Sequence, residues 1–272
     1  MISTISPEDA ETFSRDGIIC LRQIIDLTWM DELQNLADEM LNTDNHHPEQ
    51  SQELAKDVDS GRFFNEMFIW PRHKGFKRVL FSSPIAAIAG SVMGATQTNV
   101  LFDQLLIKEP GTVEPTPWHH DLPYWPFQGA QICTLWLALD DVTAASGAVE
   151  YVKGSHLWGK RYQPTSFVGD GRYQQDGLEP LPDFEVMRDD LDIVSFEMAP
   201  GDCTLHHGLT VHAAPGNRCA DRRRRAYVTR WGGDGVTYDP RGGTQPMLRD
   251  PGLKAGAPVE CDLWPVVWNR GA

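Results

Sequence analysis

Two histidine-bearing segments contain the residue types that bind a transition metal. In residues 117–125 (PWHHDLPYW), His119 and Asp121 stand two positions apart in a stretch with the composition of a strand. Side chains i and i+2 of a strand point the same way, so both can bind one metal ion. A second segment, PGDCTLHHGLTVHAAPGN, supplies a third imidazole. Two imidazoles and one carboxylate form the facial triad of non-heme Fe(II) oxygenases, which favours an oxygenase.

The second segment offers three candidates for the third ligand, namely His206, His207 and His212. Residues 203–207 are typical of a strand and residues 208–210 of a turn, so His212 would begin the next strand. His206 is expected to be structural. From the residues alone, His207 and His212 are almost equally good ligands.

Four blocks of the chain carry a resemblance to a known family. They are RDGIICLRQIID, PWHHDLPYW, CTLWLALDDVTAASGAVEYVKGSH, and PGDCTLHHGLTVHAAPGN followed by RRRRAYVTRW. In this order they resemble the phytanoyl-CoA dioxygenase family of Fe(II)/2-oxoglutarate-dependent oxygenases. The resemblance implies that His119, Asp121 and His212 bind Fe(II), with His207 at the family's upstream, non-ligand histidine. It also implies 2-oxoglutarate and O2 as co-substrates.

The resemblance further implies an arginine for the C5 carboxylate of 2-oxoglutarate, because a planar guanidinium binds a carboxylate through two hydrogen bonds. Spacing from the distal histidine selects Arg223, whereas alignment on the strand RRAYVTRW selects Arg224. We favour Arg224, and Arg223 stays open. Alternation along a strand would place the two on opposite faces. Gln104 and Thr134 are expected to contact the bound 2-oxoglutarate.

Aromatic residues cluster in sequence around the expected ligands. Tyr124 and Trp125 follow Asp121 in a proline-bounded turn and are predicted to line the substrate pocket. Trp118 and Trp136 are expected in the core or at its rim.

The resemblance implies hydroxylation of an unactivated C–H bond of a small molecule, with release of succinate and CO2. Desaturation or cyclisation by the same oxidant is an alternative. So are a zinc or manganese hydrolase or isomerase on a β-barrel, and a catalytically silent binding protein.

The elements that must position these residues change character along the chain. Helices are predicted from Ser6-Pro7, from Thr28 and over residues 83–93, and short strands follow from about residue 98. This order predicts a mainly β fold with flanking helices around a double-stranded β-helix (jelly-roll, cupin-like) core. We expect one domain, 1–272, with a mainly helical flank (1–97), the jelly-roll core (98–231) and an irregular tail (232–272). Within the core, residues 157–192 are predicted to form a lid over the site.

Composition excludes several classes of partner. The 24 basic and 38 acidic residues give a net charge of −14, which disfavours nucleic acid and anionic membranes. It also favours a cationic or amino-bearing substrate over an acyl-CoA. The five cysteines are scattered along the chain and are expected to be free thiols. The chain starts without a signal-peptide pattern and has no apolar run of membrane-spanning length, so we expect a cytoplasmic monomer or homodimer.

Overall fold

Helices dominate the first third of the chain in the computed structural model, which describes residues 5–55, 61–166 and 171–271. They are α1 (Pro7–Asp16), α2 (Leu27–Asn42), α3 (Lys74–Ser82) and α4 (Ile85–Met93). The Ser6 side chain and Asp9 cap α1 reciprocally, and Gly17 ends it at φ 72°. A Cβ on Gly17 would come within 2.3 Å of the His156 ring, so this helix end requires glycine. The sequence had predicted α1, α2 and α4 but not α3.

Among the described residues, fourteen strands form two larger antiparallel sheets and one two-stranded antiparallel pair. The strands are β1 (Ile18–Leu21), β2 (Ser51–Glu53), β3 (Phe63–Met67), β4 (Gln97–Lys108), β5 (Thr116–His119), β6 (Phe127–Gln128), β7 (Ile132–Ala138), β8 (Glu150–Val152), β9 (Ile193–Ser195), β10 (Cys203–His207), β11 (His212–Ala214), β12 (Arg224–Gly232), β13 (Thr237–Tyr238) and β14 (Val266–Asn269). The main sheet has the order β1-β10-β7-β12-β4-β3-β2, with β14 also paired to β4, and the smaller sheet has the order β5-β11-β8-β9.

The two larger sheets form the jelly roll, with the functional residues between them. All nine residues of β12 are buried, because this strand lies between β7 and β4 at the centre of the main sheet. A large apolar cluster joins the main sheet to α1, α2, α3 and α4. The predicted fold class, mainly β with flanking helices and a jelly-roll core, is confirmed.

The main sheet draws strands from both flanks of the predicted core. β1, β2 and β3 come from the segment expected to be mainly helical, and β14 comes from the expected irregular tail. Within the predicted lid, 157–192, an isolated backbone β-bridge joins Tyr162 and Glu179. Residues 167–170 of that lid lie outside the described residues. Among the helices that the structure describes, none has the length and apolar character needed to cross a membrane.

Candidate metal centre and active-site pocket

Three of the predicted ligands meet between the two sheets. His119 ends β5, His212 begins β11, and the two are direct partners in the pairing of these strands. One ligand atom from each of His119, Asp121 and His212 lies within 4.8 Å of the others, and all three side chains are buried. Asp121 lies past the end of β5 in a helical conformation (φ −71°, ψ −44°). A turn rather than strand alternation therefore brings Asp121 beside His119.

Backbone carbonyls fix the orientation of both imidazoles. His119 Nδ1 lies 2.8 Å from the Pro117 carbonyl oxygen, and His212 Nδ1 lies 2.9 Å from that of Thr210. A carbonyl only accepts, so each Nδ1 carries the proton and each Nε2 carries the lone pair that a metal requires. Burial lowers the pKa of His119 to about 3 and that of His212 to about 4. Both rings are therefore neutral ligands at neutral pH.

Asp121 is oriented by two partners on one of its oxygens. Its Oδ2 accepts hydrogen bonds from Thr134 Oγ1 at 2.6 Å and from His206 Nε2 at 3.2 Å. Burial opposes ionisation of Asp121, but the His206 hydrogen bond, the His212 imidazole and the Arg230 guanidinium hold its pKa well below the usual range. Oδ1 lies 3.7 Å from His119 Nε2 and 4.0 Å from His212 Nε2. One carboxylate oxygen thus faces both imidazoles.

The two other candidate histidines lie in different surroundings. His206 points into the pocket and orients Asp121, which agrees with the expected structural role. His207, the next residue of β10, places Nε2 2.9 Å from the Ala130 carbonyl oxygen, and its Nδ1 accepts from the Leu209 amide. Both nitrogens of His207 are thus occupied away from the centre, whereas His212 Nε2 lies 4.0 Å from Asp121 Oδ1.

Arg224 and Arg223 lie on opposite faces of the main sheet, as alternation predicts. Arg224 lines the pocket at 2% exposure, with its guanidinium 5.4 Å from the centre of the Trp136 ring. Its Nε and Nη2 have no hydrogen-bond partner among the described residues. Burial lowers the pKa of Arg224 to about 10, so it remains a cation at neutral pH. Arg223 instead pairs with Asp38 at 2.8 Å and Glu109 at 3.0 Å.

Gln104 and Thr134 both line the pocket, but their polar groups already have partners. The Gln104 side-chain amide donates to Asn65 Oδ1 at 2.5 Å, and the Thr134 hydroxyl donates to Asp121. We therefore infer that Thr134 positions Asp121 instead of binding the co-substrate.

Tyr124 and Trp125 line the pocket, as do residues of the predicted lid. The Tyr124 hydroxyl donates to the Thr165 carbonyl oxygen at 2.7 Å and accepts from the Thr165 amide at 2.8 Å. The Tyr124 ring also packs edge-on against Tyr173, with centroids 5.1 Å apart. Trp118 is buried in a separate cluster with Phe184, as expected of a core residue. Trp136 is buried in another core cluster, as expected, and its ring also lies on the pocket wall under Arg224.

The sequence analysis assigned no role to Arg230, although it lines the same pocket. Arg230 and Arg224 are six residues apart on β12, so both point to the same face. That spacing was visible in RRAYVTRW, but an arginine in a strand more often lies at a surface. Only the buried position of β12 reveals that Arg230 faces the pocket.

Comparisons with known proteins agree with this geometry. The family model described as phytanoyl-CoA dioxygenase (PhyH) matches residues 13–226. A phytanoyl-CoA dioxygenase of Arabidopsis thaliana is 30% identical over 154 residues, which are 56% of this chain and 50% of that protein. The matched region thus spans about half the length of that curated relative.

Solved structures match nearly the whole chain. The non-heme, alpha-ketoglutarate-dependent carbocyclase SnoK of nogalamycin biosynthesis has a TM-score of 0.76 at 25% identity, covering 97% of each chain. The epimerase SnoN, in complex with Fe3+, alpha-ketoglutarate and nogalamycin RO, has a TM-score of 0.74 at 24% identity, covering 96% of this chain and 98% of its own. With a family model that spans residues 13–226, the chain belongs to the phytanoyl-CoA dioxygenase family.

Proposed function

We propose that the chain is a non-heme Fe(II)- and 2-oxoglutarate-dependent dioxygenase that hydroxylates an unactivated C–H bond of a small molecule, releasing succinate and CO2. The observation that carries this proposal is that one pocket holds the His119–Asp121–His212 cluster and the buried Arg224, whose Nε and Nη2 have no hydrogen-bond partner among the described residues. Bound iron, with 2-oxoglutarate and O2, would supply the oxidising chemistry.

Arg224 separates this proposal from a metal-dependent hydrolase. A buried guanidinium without a partner is costly, and the usual remedy is a bound carboxylate. A hydrolase could use the same metal ligands, but it would have no need of a cation in the wall of the pocket. A dicarboxylate co-substrate bound at the metal through one end would bring its other carboxylate to Arg224.

The remaining residues of the pocket would hold the reactants and exclude water. Thr134 and His206 keep Asp121 ionised and aimed at the metal position. Tyr124 ties the Thr165 region of the predicted lid across the pocket, beside Trp125. Such closure would protect a reactive site from solvent and orient the substrate C–H bond.

Ring formation is the second candidate outcome, because the carbocyclase SnoK is 25% identical over 97% of this chain. The same oxidant serves hydroxylation, ring formation and epimerisation, so product mass distinguishes them. Hydroxylation adds one oxygen atom, ring formation removes two hydrogen atoms, and epimerisation leaves the mass unchanged.

The first test measures succinate formed by purified protein with Fe(II), 2-oxoglutarate and O2, while small metabolites are screened for stimulation. We expect succinate formation that needs all three components and that Asp121→Ala and Arg224→Gln abolish or strongly reduce. Zn(II) in place of Fe(II) should support no turnover. Zinc-supported hydrolysis of a screened compound, or absence of 2-oxoglutarate binding by the metal-loaded wild type, would contradict the proposal.

A further inference from the structure

Arg230 is a second buried cation at the metal end of the pocket. On β12 it lies directly opposite Thr134 of β7, the residue that donates to Asp121, and opposite Phe102 of β4. Arg224 lies six residues away, about 20 Å along the strand by the usual rise per residue. The two arginines therefore serve different parts of the pocket.

The Arg230 guanidinium packs against two aromatic rings, and the nearby acids Asp121 and Asp103 act on it electrostatically without forming an ion pair. It lies 4.8 Å from the centre of the Phe102 ring and 5.9 Å from that of Trp125. Its Nε is buried with no hydrogen-bond partner among the described residues, and its one hydrogen bond there, to the Val228 carbonyl oxygen, is long at 3.4 Å. In the described part of the chain, no carboxylate oxygen lies within the 4.0 Å ion-pair distance of Arg230.

Formal charges around the site leave Arg230 without an anion in direct contact. Once the proposed reactants are bound, the divalent metal and Arg224 carry three positive charges. Asp121 and dianionic 2-oxoglutarate carry three negative charges, so these groups cancel. Asp121 is the only acidic residue among the described residues that line the pocket. Asp103, the other acid that acts on Arg230, does not line the pocket and hydrogen-bonds to Ile69, Trp70 and Tyr227. Neither acid pairs directly with Arg230 in the described part of the chain, so its guanidinium can still bind a further anion.

We propose that Arg230 binds an oxyanion of the primary substrate, a carboxylate or a phosphate, beside the aromatic wall formed by Phe102 and Trp125. The proposal rests on the function proposed above and names its substrate class. It reverses the sequence-based preference for a cationic substrate, because the pocket is cationic although the chain as a whole is acidic. An arginine fork suits this task, since it recognises an oxyanion through paired hydrogen bonds.

Two other roles for Arg230 make different predictions. If it served only to balance Asp121, the pocket would not discriminate between an acid and its neutral amide. If it held the C1 carboxylate of 2-oxoglutarate, its loss would weaken co-substrate binding and leave the discrimination intact.

The experiment measures binding and not turnover. Wild-type protein loaded with Mn(II) and saturated with 2-oxoglutarate, without O2, is titrated with 3-phenylpropionate, with 3-phenylpropionamide and with 2-phenylethylphosphonate, and tryptophan fluorescence reports binding. We expect at least one of the two anions to bind at least about tenfold more tightly than the amide. The anion that binds more tightly distinguishes a carboxylate from a phosphate-like group.

Variants assign that preference to Arg230. Arg230→Gln should reduce the anion-to-amide preference to less than about threefold, and its dissociation constant for 2-oxoglutarate should stay within about threefold of wild type. Arg230→Lys keeps the charge and should keep part of the preference.

Equal affinity of wild type for the anions and the amide, including no detectable binding of any of them, overturns the proposal without any variant. A large loss of 2-oxoglutarate affinity in Arg230→Gln with the preference retained overturns it as well. Failure of 2-oxoglutarate itself to bind the metal-loaded wild type would instead refute the proposed function.

Discussion

Carbonyl groups hold the imidazoles of His119 and His212 with Nε2 toward Asp121, so these three residues should dominate metal affinity. We predict that alanine at any of them weakens anaerobic Fe(II) binding by more than about a hundredfold, measured by calorimetry. His206→Ala removes only a hydrogen-bond partner of Asp121 and should weaken Fe(II) binding by about tenfold. His207→Ala is the matched control and should bind Fe(II) normally. A larger loss for His207 than for His212 would refute the ligand assignment.

The buried guanidinium of Arg224 and the paired one of Arg223 predict different effects on 2-oxoglutarate. Arg224→Gln should raise the KM for 2-oxoglutarate by on the order of a hundredfold, about 2–4 kcal/mol, because it removes the partner of a buried carboxylate. Arg223→Gln changes a half-exposed ion pair and should alter the KM by less than about threefold. Steady-state succinate formation measures both. Equal effects would move the role to Arg223.

Part of this site was predictable from single residues. The spacing of His119 and Asp121, together with the resemblance, indicated the metal ligands. The choice between His207 and His212 needed the fold, because it depends on where the turn after β10 directs the chain. The lack of hydrogen-bond partners at Nε of Arg224 and Arg230, within the described part of the chain, is a property of their surroundings, which the sequence does not describe.

Among the elements, β4 carries a buried acid that makes stability depend on pH. Asp103 accepts from the amides of Ile69 and Trp70 and from the Tyr227 hydroxyl, and burial raises its pKa to about 6. The pKa of Asp103 is higher in the folded protein than in the unfolded chain, where it is near 3.9. Asp103 therefore contributes to the free energy of unfolding fully below about pH 4, and this contribution is lost as the pH rises through about 6.

The matched variant isolates this contribution. The free energy of unfolding of wild type, relative to Asp103→Asn, should be larger at pH 5 than at pH 8 by about 1 kcal/mol. Urea unfolding at both pH values measures it. A difference that stays constant between pH 5 and pH 8 would refute the raised pKa.

The predicted lid over residues 157–192 is tied to the pocket through Tyr124. Tyr124→Phe removes both hydrogen bonds to the Thr165 backbone and should cost about 1–3 kcal/mol of local stability. We therefore expect limited proteolysis within 157–192 to accelerate by about tenfold, with 2-oxoglutarate decay less well coupled to product formation. Tyr238→Phe, outside the lid, is the control. Unchanged cleavage and coupling in Tyr124→Phe would argue against a lid.

Strands bounded by turn residues were predictable even where they are almost fully buried, as β10 is between Gly201 and Gly208. β10 was predicted with its observed bounds, Cys203–His207. β3 was missed because its sequence, FFNEM, places Asn65 and Glu66 in a fully buried strand. Glu66 is stabilised there by Arg72 at 2.6 Å, a partner that no local pattern indicates.

At the scale of the whole molecule, the C-terminal strand β14 joins the helical flank to the main sheet. Trp268 packs over Gly90 of α4, where an added Cβ would come within 2.3 Å of the indole ring. Gly90→Ala should therefore destabilise the full chain, although alanine normally stabilises a helix by about 0.5–1 kcal/mol relative to glycine.

Truncation after Pro265 tests this link. In the shortened chain Gly90→Ala should become neutral or stabilising, because the indole is gone. Thermal unfolding of the four proteins measures the reversal. The same sign of effect in both backgrounds would mean that β14 does not restrain α4.

The direct pairing of His119 with His212 also has a consequence for biosynthesis. The ribosome adds about 5–20 residues per second, so His212 is synthesised roughly 5–20 s after His119 and Asp121. Arg224 follows slightly later. Strand β11 is thus synthesised well after its partner β5. The delay between β1 and its partner β10 is longer still. A metal ion can therefore be captured by all three residues only after His212 has been synthesised.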